Sequence, residues 1–183
     1  MILLGATTAL LFGGVAGAVE SHPFSVHDML AMDRISAPQV APDASRIVFV
    51  RRTTDLEANR GRTDLWLVNL DGKGLRRLTS HPDGDWNPRW SRDGKSIWFL
   101  SIRSGSAQVW SIAVDGGEAI QVTDLPLDVG TLAVSPAGGH LAVSMEVFPG
   151  ATPTDTKAKL YGIAAAPVTG SIYDRLFIRH WVT

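Results

Sequence analysis

A repeat constrains the fold of this chain more strongly than any other feature of its sequence. The stretch Asp64–Gly72 (DLWLVNLDG) matches Gln108–Gly116 (QVWSIAVDG), and Thr79 holds the same place after the first copy as Thr123 holds after the second. The period is roughly 44 residues, and short strands repeated with a period in the forties are typical of β-propeller blades.

A second set of matching segments runs alongside the first. Pro38–Val50 matches Pro88–Leu100, and Thr131–Ser144 continues the series. In the first set, apolar side chains recur at every second position, as they do in strands. Runs such as Ile97–Leu100 (IWFL) are apolar on both faces, which is expected where sheets pack face to face. The predicted fold is therefore all-β, an incomplete β-propeller of about three to four four-stranded antiparallel blades.

Three Asp-Gly pairs, Asp71-Gly72, Asp93-Gly94 and Asp115-Gly116, each lie between two strand-like runs. Glycine adopts a positive φ angle without a Cβ clash, and aspartate accepts hydrogen bonds from nearby backbone amides. The pairs are therefore predicted to be hairpin turns. A metal-binding or catalytic role for these aspartates is the alternative interpretation.

The junction between two predicted blades can be read in the stretch RRLTSHPDGDWNPRWSRDGKSIWFLS. Arg77–Thr79 ends an outer strand, and Ser80–Asn87 is a polar crossing to the next blade. Pro88–Ser91 is the first strand of that blade, and Ile97–Leu100 is its second. The tryptophans of this stretch are predicted to pack in the core rather than to stack on a ligand; they are Trp86, Trp90 and Trp98.

Two polar segments interrupt the repeats. Arg51–Thr63 (RRTTDLEANRGRT) lies between two strands of the first blade and is predicted to extend as a solvated hairpin above one face. Phe148–Lys159 and Ala164–Gly170 are predicted to form a long irregular crossing. Either segment could be a binding loop, because loops carry function on rigid scaffolds.

The N-terminal residues differ in character from the repeats. Residues 1–18 (MILLGATTALLFGGVAGA) are apolar, carry no charge and end in the small-residue pattern Ala16-Gly17-Ala18. This pattern predicts a signal peptide, although no basic residue precedes the apolar run. A membrane anchor and a buried first element of the domain are the alternatives.

Residues 19–36 are predicted to form a lead-in segment with a short helix, for which Ser25 and Asp28 form a capping box. Residues 37–183 are assigned to the partial propeller.

The pattern Leu78-Thr79, Pro88–Gly94 (PRWSRDG) and Ile97 closely resembles a repeat shared by Tol-type translocation propellers and by the propellers of the prolyl oligopeptidase family of serine peptidases. The segments that flank the repeats, Arg34–Asp43 and Tyr173–Trp181, are similar to segments of bacterial dipeptidyl- and acylaminoacyl-peptidases of that family. The resemblance covers roughly residues 24–183. It implies a two-domain exported enzyme, in which the propeller caps an α/β-hydrolase domain with a Ser-Asp-His triad and admits short peptides while it excludes folded proteins.

The sequence offers no catalytic, cofactor-binding or metal-binding residue of its own. It contains no Gly-x-Ser-x-Gly nucleophile elbow, and Ser104-Gly105-Ser106 is predicted to be a turn. The family's dipeptidyl members hold the substrate amino terminus with paired glutamates, whereas no two glutamates are adjacent here. Cysteines are absent, and the histidines lack ligand spacing; the glutamates are Glu20, Glu57, Glu118 and Glu146, and the histidines are His22, His27, His81, His140 and His180.

We therefore expect the N-terminal propeller portion of an exported, periplasmic or secreted serine peptidase, without its catalytic domain and inactive alone. It would gate peptide access and dock the hydrolase domain, and its open blade faces would allow self-association. The alternatives are a non-catalytic exported propeller that binds protein partners, as Tol-type propellers do, and a propeller with its own hydrolytic site. A net charge of −1 gives no reason to expect a nucleic-acid or anionic-membrane partner. A fragment of a longer protein is expected, because the predicted blades are too few to close a ring.

Overall fold

The computed structural model describes residues 22–166 and residue 170. Strands dominate this part of the chain. The elements, in chain order, are α1 (Val26–Ala31), β1 (Arg34–Val40), β2 (Arg46–Asp55), β3 (Arg60–Asn69), β4 (Arg76–Arg77), β5 (Asp85–Trp90), β6 (Ser96–Ser101), β7 (Gln108–Ala113), β8 (Ile120–Gln121), β9 (Thr131–Val134), β10 (Leu141–Ser144) and α2 (Pro153–Ala164).

The strands form three antiparallel sheets in sequence order. The first sheet has the order β1-β2-β3-β4, and the second has the order β5-β6-β7-β8. Within the described residues, the third sheet has the two strands β9 and β10. The prediction of an all-β fold built from four-stranded antiparallel blades is confirmed, and each four-stranded sheet corresponds to one sequence repeat.

The predicted hairpin turns are confirmed. Gly72, Gly94 and Gly116 have φ angles of 80°, 68° and 105°, in the region that a side chain disfavours. The Asp71 carboxylate accepts a hydrogen bond from the Lys73 amide at 2.9 Å, and the Asp93 carboxylate accepts one from the Lys95 amide at 3.1 Å. These aspartates therefore have a structural role at the ends of strands.

The first strand of each four-stranded sheet contains a bulge. The pairing register shifts between Ser36 and Gln39 in β1 and between Trp86 and Arg89 in β5. At each bulge, the residue before proline has a positive φ angle, 48° at Ala37 and 54° at Asn87. The bulge lets the strand begin before the proline, so β5 begins at Asp85 and β1 at Arg34. The predicted start of the strand at Pro88 was too late for this reason.

Two layers of apolar side chains hold the three sheets together. Between the first and second sheets, Val48, Val50 and Leu67 pack in one cluster with Ile97 and Phe99. Between the second and third sheets, the core is smaller. Its buried members are Leu100, Val109, Val129 and Leu132. Successive side chains of a strand therefore face opposite neighbours, which explains the doubly apolar runs in the sequence.

The helices flank the sheets. At α1, Ser25 Oγ accepts a hydrogen bond from the Asp28 amide at 3.3 Å and Asp28 accepts one from the Ser25 amide at 2.7 Å, as the capping box predicts. The segment Phe148–Lys159 is not irregular as predicted, because α2 occupies most of it and extends to Ala164. A second capping box, between Thr152 and Asp155, starts this helix. Among the described residues, no helix is long and apolar enough to cross a membrane.

Candidate interaction face

The two ends of the sheets differ in what they carry. In each antiparallel four-stranded sheet, the connection between the second and third strands and the exit from the fourth strand lie at one end. We call this the crossover end. It holds the β2–β3 hairpin, the β6–β7 loop and the segments that lead to the next sheet. The opposite end holds the short turns, including the three Asp-Gly pairs. The crossover end is therefore the more elaborated surface.

The β2–β3 hairpin is the longest projection of the crossover end. Its strands pair as far as Asp55 and Arg60, which confirms the predicted hairpin. The Asp55 carboxylate accepts hydrogen bonds from the Ala58 amide and from Arg62 Nε, both at 2.9 Å. The bond from the Ala58 amide has the largest effect, and the two bonds together hold the pKa of Asp55 below its usual value. The Leu56 side chain is exposed at the tip. The hairpin tip is therefore held in shape by hydrogen bonds at Asp55 and exposes one apolar side chain, Leu56.

A buried ion pair anchors the second sheet at this end. Asp85, at the start of β5, is fully buried, and Arg103 of the β6–β7 loop donates to it at 2.6 Å. Arg103 also donates to Ser101 Oγ at 3.0 Å, and its guanidinium lies 5.0 Å from the centre of the Trp110 ring. The loop is therefore fixed by charge, hydrogen bonding and stacking together.

The first sheet uses a different ion pair at its crossover end. Arg77 of β4 donates to the Asp64 carboxylate at 2.7 Å, and it donates to the Thr79 carbonyl at 2.8 Å. Burial of Asp64 raises the pKa of its carboxyl above the usual value, and the bond from Arg77 opposes this effect. Within the described residues, one oxygen each of Asp64 and Asp85 and the Trp110 indole nitrogen are buried without a hydrogen-bond partner.

A cavity of about 440 Å³ opens beside these ion pairs, between the first and second sheets. His81 and Pro82 of the crossing line one side, and Arg103, Trp110 and Glu118 line the other. A second cavity of about 600 Å³ lies between the third sheet and α2. Its lining combines apolar side chains with two acidic ones; it includes Leu127, Asp128, Glu146 and Leu160. Both cavities combine polar and apolar side chains in their linings.

The residues that the sequence singled out fall into three groups. Trp86, Trp90 and Trp98 pack in the cores, as predicted, and Trp90 Nε1 donates to the Gln39 carbonyl at 2.9 Å. Ser104–Ser106 forms a turn around Gly105, whose φ angle is 92°. The predicted signal peptide, the segment 173–181 and His180 lie outside the described residues.

The described residues bring together no catalytic constellation. In the range 22–166, no serine hydroxyl is hydrogen-bonded to a histidine ring, and no cluster of three potential metal ligands occurs. His81 accepts a hydrogen bond from the Asp83 amide at 3.2 Å, which is a local turn contact. Sequence reasoning missed the Asp85–Arg103 pair, because the two residues are joined by strand pairing rather than by a motif.

Comparison with known proteins agrees with this architecture. Residues 29–147 match the family model for the TolB beta propeller domain. The chain is 29% identical over 153 residues to dipeptidyl-peptidase 5 of Porphyromonas endodontalis and 30% identical over 150 residues to the uncharacterized peptidase YuxL of Bacillus subtilis. These matches cover 84% and 81% of this chain, and 21% and 23% of the two relatives.

A solved structure shows the same fold. The acylaminoacyl peptidase of Pyrococcus horikoshii superimposes with a TM-score of 0.54 at 18% identity, over 65% of this chain and 20% of that chain. The predicted resemblance to the propeller part of peptidases is therefore confirmed, and the chain spans about a fifth of the length of the curated relatives it matches. The family model covers more than half of the sequence, and this chain belongs to the TolB beta propeller domain family.

Proposed function

We propose that this chain is the N-terminal propeller portion of an exported serine peptidase of the prolyl oligopeptidase family. Its crossover end would dock the hydrolase domain and gate the access of peptides, and the chain itself would break no bond. The observation that carries the proposal is the match to two longer peptidases across more than four fifths of this chain. The apolar run that ends in Ala16-Gly17-Ala18 supports export.

The asymmetry of the two ends supports the choice of docking surface. A domain that docks needs a surface whose loops hold their shape, because ordering mobile loops on binding costs free energy. The crossover end meets this need through the Asp85–Arg103 pair and the hydrogen-bonded hairpin tip at Asp55. The opposite end presents short turns that offer little surface to a partner.

The first test is to sequence the encoding DNA beyond codon 183 and to assay the proteins it encodes. We expect a reading frame that supplies further blades and a Gly-x-Ser-x-Gly hydrolase domain. The full protein should cleave dipeptidyl or aminoacyl reporter substrates, and the pure 183-residue chain should not. Inhibitor-sensitive cleavage by the pure chain would contradict the proposal, and so would a true stop codon with no hydrolase frame nearby.

The docking surface is tested by a matched pair of substitutions in the full protein. Leu56→Asp changes the exposed tip of the β2–β3 hairpin at the crossover end. Leu75→Asp changes a similarly exposed leucine between β3 and β4 at the opposite end. We expect the first variant to weaken the contact between the domains and to admit larger peptides, while the second behaves as wild type. Equal behaviour of the two variants would exclude the crossover end as the docking surface.

A second candidate function is a non-catalytic exported module that binds protein partners. The match of residues 29–147 to the TolB beta propeller domain favours it. A specific partner recovered by the folded chain, together with a true stop after codon 183, would support this function over the first.

A further inference from the structure

A cleft of about 630 Å³ lies between the second and third sheets, at the end of the sheets that holds the short turns. We call it the turn cleft. One wall comes from the β5–β6 turn and from β6, and its lining includes Arg92, Ser96 and Trp98. The other wall is the β9–β10 turn, where Gly138 and Gly139 present backbone without side chains. Its volume lies in the range of sites that hold a small molecule.

The internal repeat shows that Arg92 is a departure from the common pattern of the turns. It lies two residues after the end of β5. The same place is taken by Pro42 after β1 and by Pro136 after β9. Proline suits such a turn because its φ angle is fixed in advance. The second sheet therefore has a cation where the turn itself is better served by proline.

Trp98 is a second departure at the same cleft. Strand pairing places it where the first sheet has Val48 and the third sheet has Ala142. Part of its ring packs against the core between the second and third sheets, and the half-buried side chain also lines the cleft. The two large side chains by which the second sheet differs from the others thus lie on one wall of one cleft.

The guanidinium of Arg92 is held in place without a compensating charge. Its Nη1 donates to the Ala137 carbonyl at 3.1 Å. A Cβ added to Gly138 would lie 3.0 Å from Arg92 Cβ, so the arginine stem passes closely over the glycine turn. Within the range 22–166, Arg92 forms no ion pair. Its remaining N–H groups can therefore donate to an anion.

Asp93 is the one carboxylate among the described residues that line the cleft, and its own turn engages it. Its Oδ1 accepts hydrogen bonds from Ser91 Oγ at 2.6 Å and from the Lys95 amide at 3.1 Å. The turn also carries the cations of Arg92 and Lys95, so its net charge is positive. An anion in the cleft is therefore attracted rather than repelled.

We propose that the turn cleft binds a small organic anion whose carboxylate is attached to a ring. The guanidinium of Arg92 pairs with the carboxylate, for which its planar fork of donors is suited. The indole of Trp98 provides an apolar wall for the ring, and the Ser96 hydroxyl lies in the same lining to bond a polar substituent. The bare backbone of Gly138 and Gly139 lets the ligand approach closely. Aromatic acids and sugar acids share this chemistry.

Calorimetric titration of the 183-residue chain with phenylacetate and with glucuronate tests the proposal and distinguishes the two sources. Phenylacetamide and glucose are the uncharged counterparts. We expect saturable binding of at least one acid, and binding of its uncharged counterpart that is weaker by about tenfold or more, because the bond to the charged carboxylate is lost. If neither acid binds saturably, or if an acid and its counterpart bind equally, the proposal is wrong.

Two substitutions separate the site from general attraction by charge. Arg92→Pro introduces the residue that the other two sheets have at this place, so the turn should be retained while binding weakens about tenfold or more. Lys95→Ala is the matched control, because it removes a cation of the same turn that does not line the cleft. Its effect should stay below about threefold. Circular dichroism checks that both variants are folded. Equal weakening by the two variants would overturn the role of Arg92.

A second readout needs no variant. In ¹⁵N-labelled wild-type protein, titration with the bound acid should shift the amide signals of Gly138 and Gly139 and the indole N–H signal of Trp98. The Gly72 amide, in a turn of the first sheet, should not move. Shifts elsewhere without shifts at the turn cleft would refute the assigned site. Neither result bears on peptidase activity, so this proposal and the proposed function fail separately.

Discussion

The first and second sheets carry the same repeat, yet their matching residues stand in different surroundings. Phe99 is fully buried between two sheets, whereas Phe49 holds the same place on the outer face of the first sheet, the face away from the second sheet, and is 8% exposed. Gln108 of the second sheet corresponds to Asp64 of the first, and Gly94 corresponds to Ala44. The backbone is common to both sheets, and the neighbours of each position decide what its side chain contributes.

The largest difference is expected in the apolar core. Phe99→Ala should lower the free energy of unfolding by about 3–5 kcal/mol, because it removes a large buried ring and leaves a cavity. Phe49→Ala should lower the free energy of unfolding by roughly half as much, since the outer face can relax around the missing ring. Denaturant unfolding of the two variants measures both losses. Equal losses would mean that Phe49 is enclosed as tightly as Phe99.

The buried amide of Gln108 provides the next comparison. Gln108 Oε1 accepts hydrogen bonds from Thr123 Oγ1 at 2.8 Å and from the Leu125 amide at 2.9 Å. Its Nε2 donates to the Leu125 and Leu127 carbonyls at 3.1 and 3.4 Å. The side chain thereby fixes the path of the segment between the second and third sheets.

Gln108→Ala should therefore destabilise the chain by about 2–3 kcal/mol, because buried backbone groups lose their partners. The expected control is Gln121→Ala on β8, whose side chain donates to one exposed carbonyl, that of Thr123. Denaturant unfolding should show a change below about 0.5 kcal/mol for the control. If hydrogen exchange at Leu125 is unchanged in Gln108→Ala, the assigned role of the amide is wrong.

The repeat could be predicted from the sequence because its signals are local. The Asp-Gly turns, the alternation of apolar residues and the Ser25 capping box each depend on residues close together in the chain. The positions of strands such as β2 and β3 followed from these signals. The Thr152–Asp155 capping box is also local, but the polar residues around it favoured the interpretation as an irregular crossing, so α2 was not predicted.

The contacts of the candidate interaction face could not be predicted in the same way. Arg103 reaches Asp85 only because β5 and β6 pair, and the bulge at Asn87 sets where that pairing begins. A bulge leaves little trace in the sequence beyond the proline that follows it. The outer face was likewise expected only as an open blade face, and the side chains that make it apolar became evident from strand register.

The turn before β2 offers a smaller, reciprocal test. Ala44 has a φ angle of 55° at the place where the second sheet has Gly94, with a φ angle of 68°. Alanine is strained in this region and glycine is not, so Ala44→Gly should stabilise the chain by about 1 kcal/mol. Gly94→Ala should destabilise the chain by a similar amount, because alanine is strained at this φ angle. The added Cβ would lie 3.7 Å from Pro42 Cδ, which is an ordinary contact, so no steric clash adds to the strain. Thermal unfolding of both variants measures the pair.

The smallest effect concerns Asp64, where the first sheet has a carboxylate in place of the buried amide of Gln108. Burial raises the pKa of Asp64 in the folded chain above the value of 3.8 that it has when exposed. The folded state therefore holds this proton more tightly than the unfolded state does. The stability that this group contributes is fully present below pH 3.8 and is lost as the pH rises through the raised pKa.

Asp93 has the opposite sign, because hydrogen bonds from Ser91 Oγ and the Lys95 amide lower its pKa. Its contribution is present above pH 3.8 and is lost as the pH falls through the lowered pKa.

Asp64→Asn should change the free energy of unfolding by less than about 1 kcal/mol at pH 7, because the Arg77 side chain is half-exposed and stays hydrated. Compared with wild type, this variant should gain less stability on acidification, and Asp93→Asn should lose less. Unfolding curves at several pH values between 3 and 7 give, for each variant, the slope of the free energy of unfolding against pH. If the free energy of unfolding had the same slope against pH in the two variants, Asp64 would be as well solvated as Asp93. Burial would then not raise the pKa of Asp64 as proposed here.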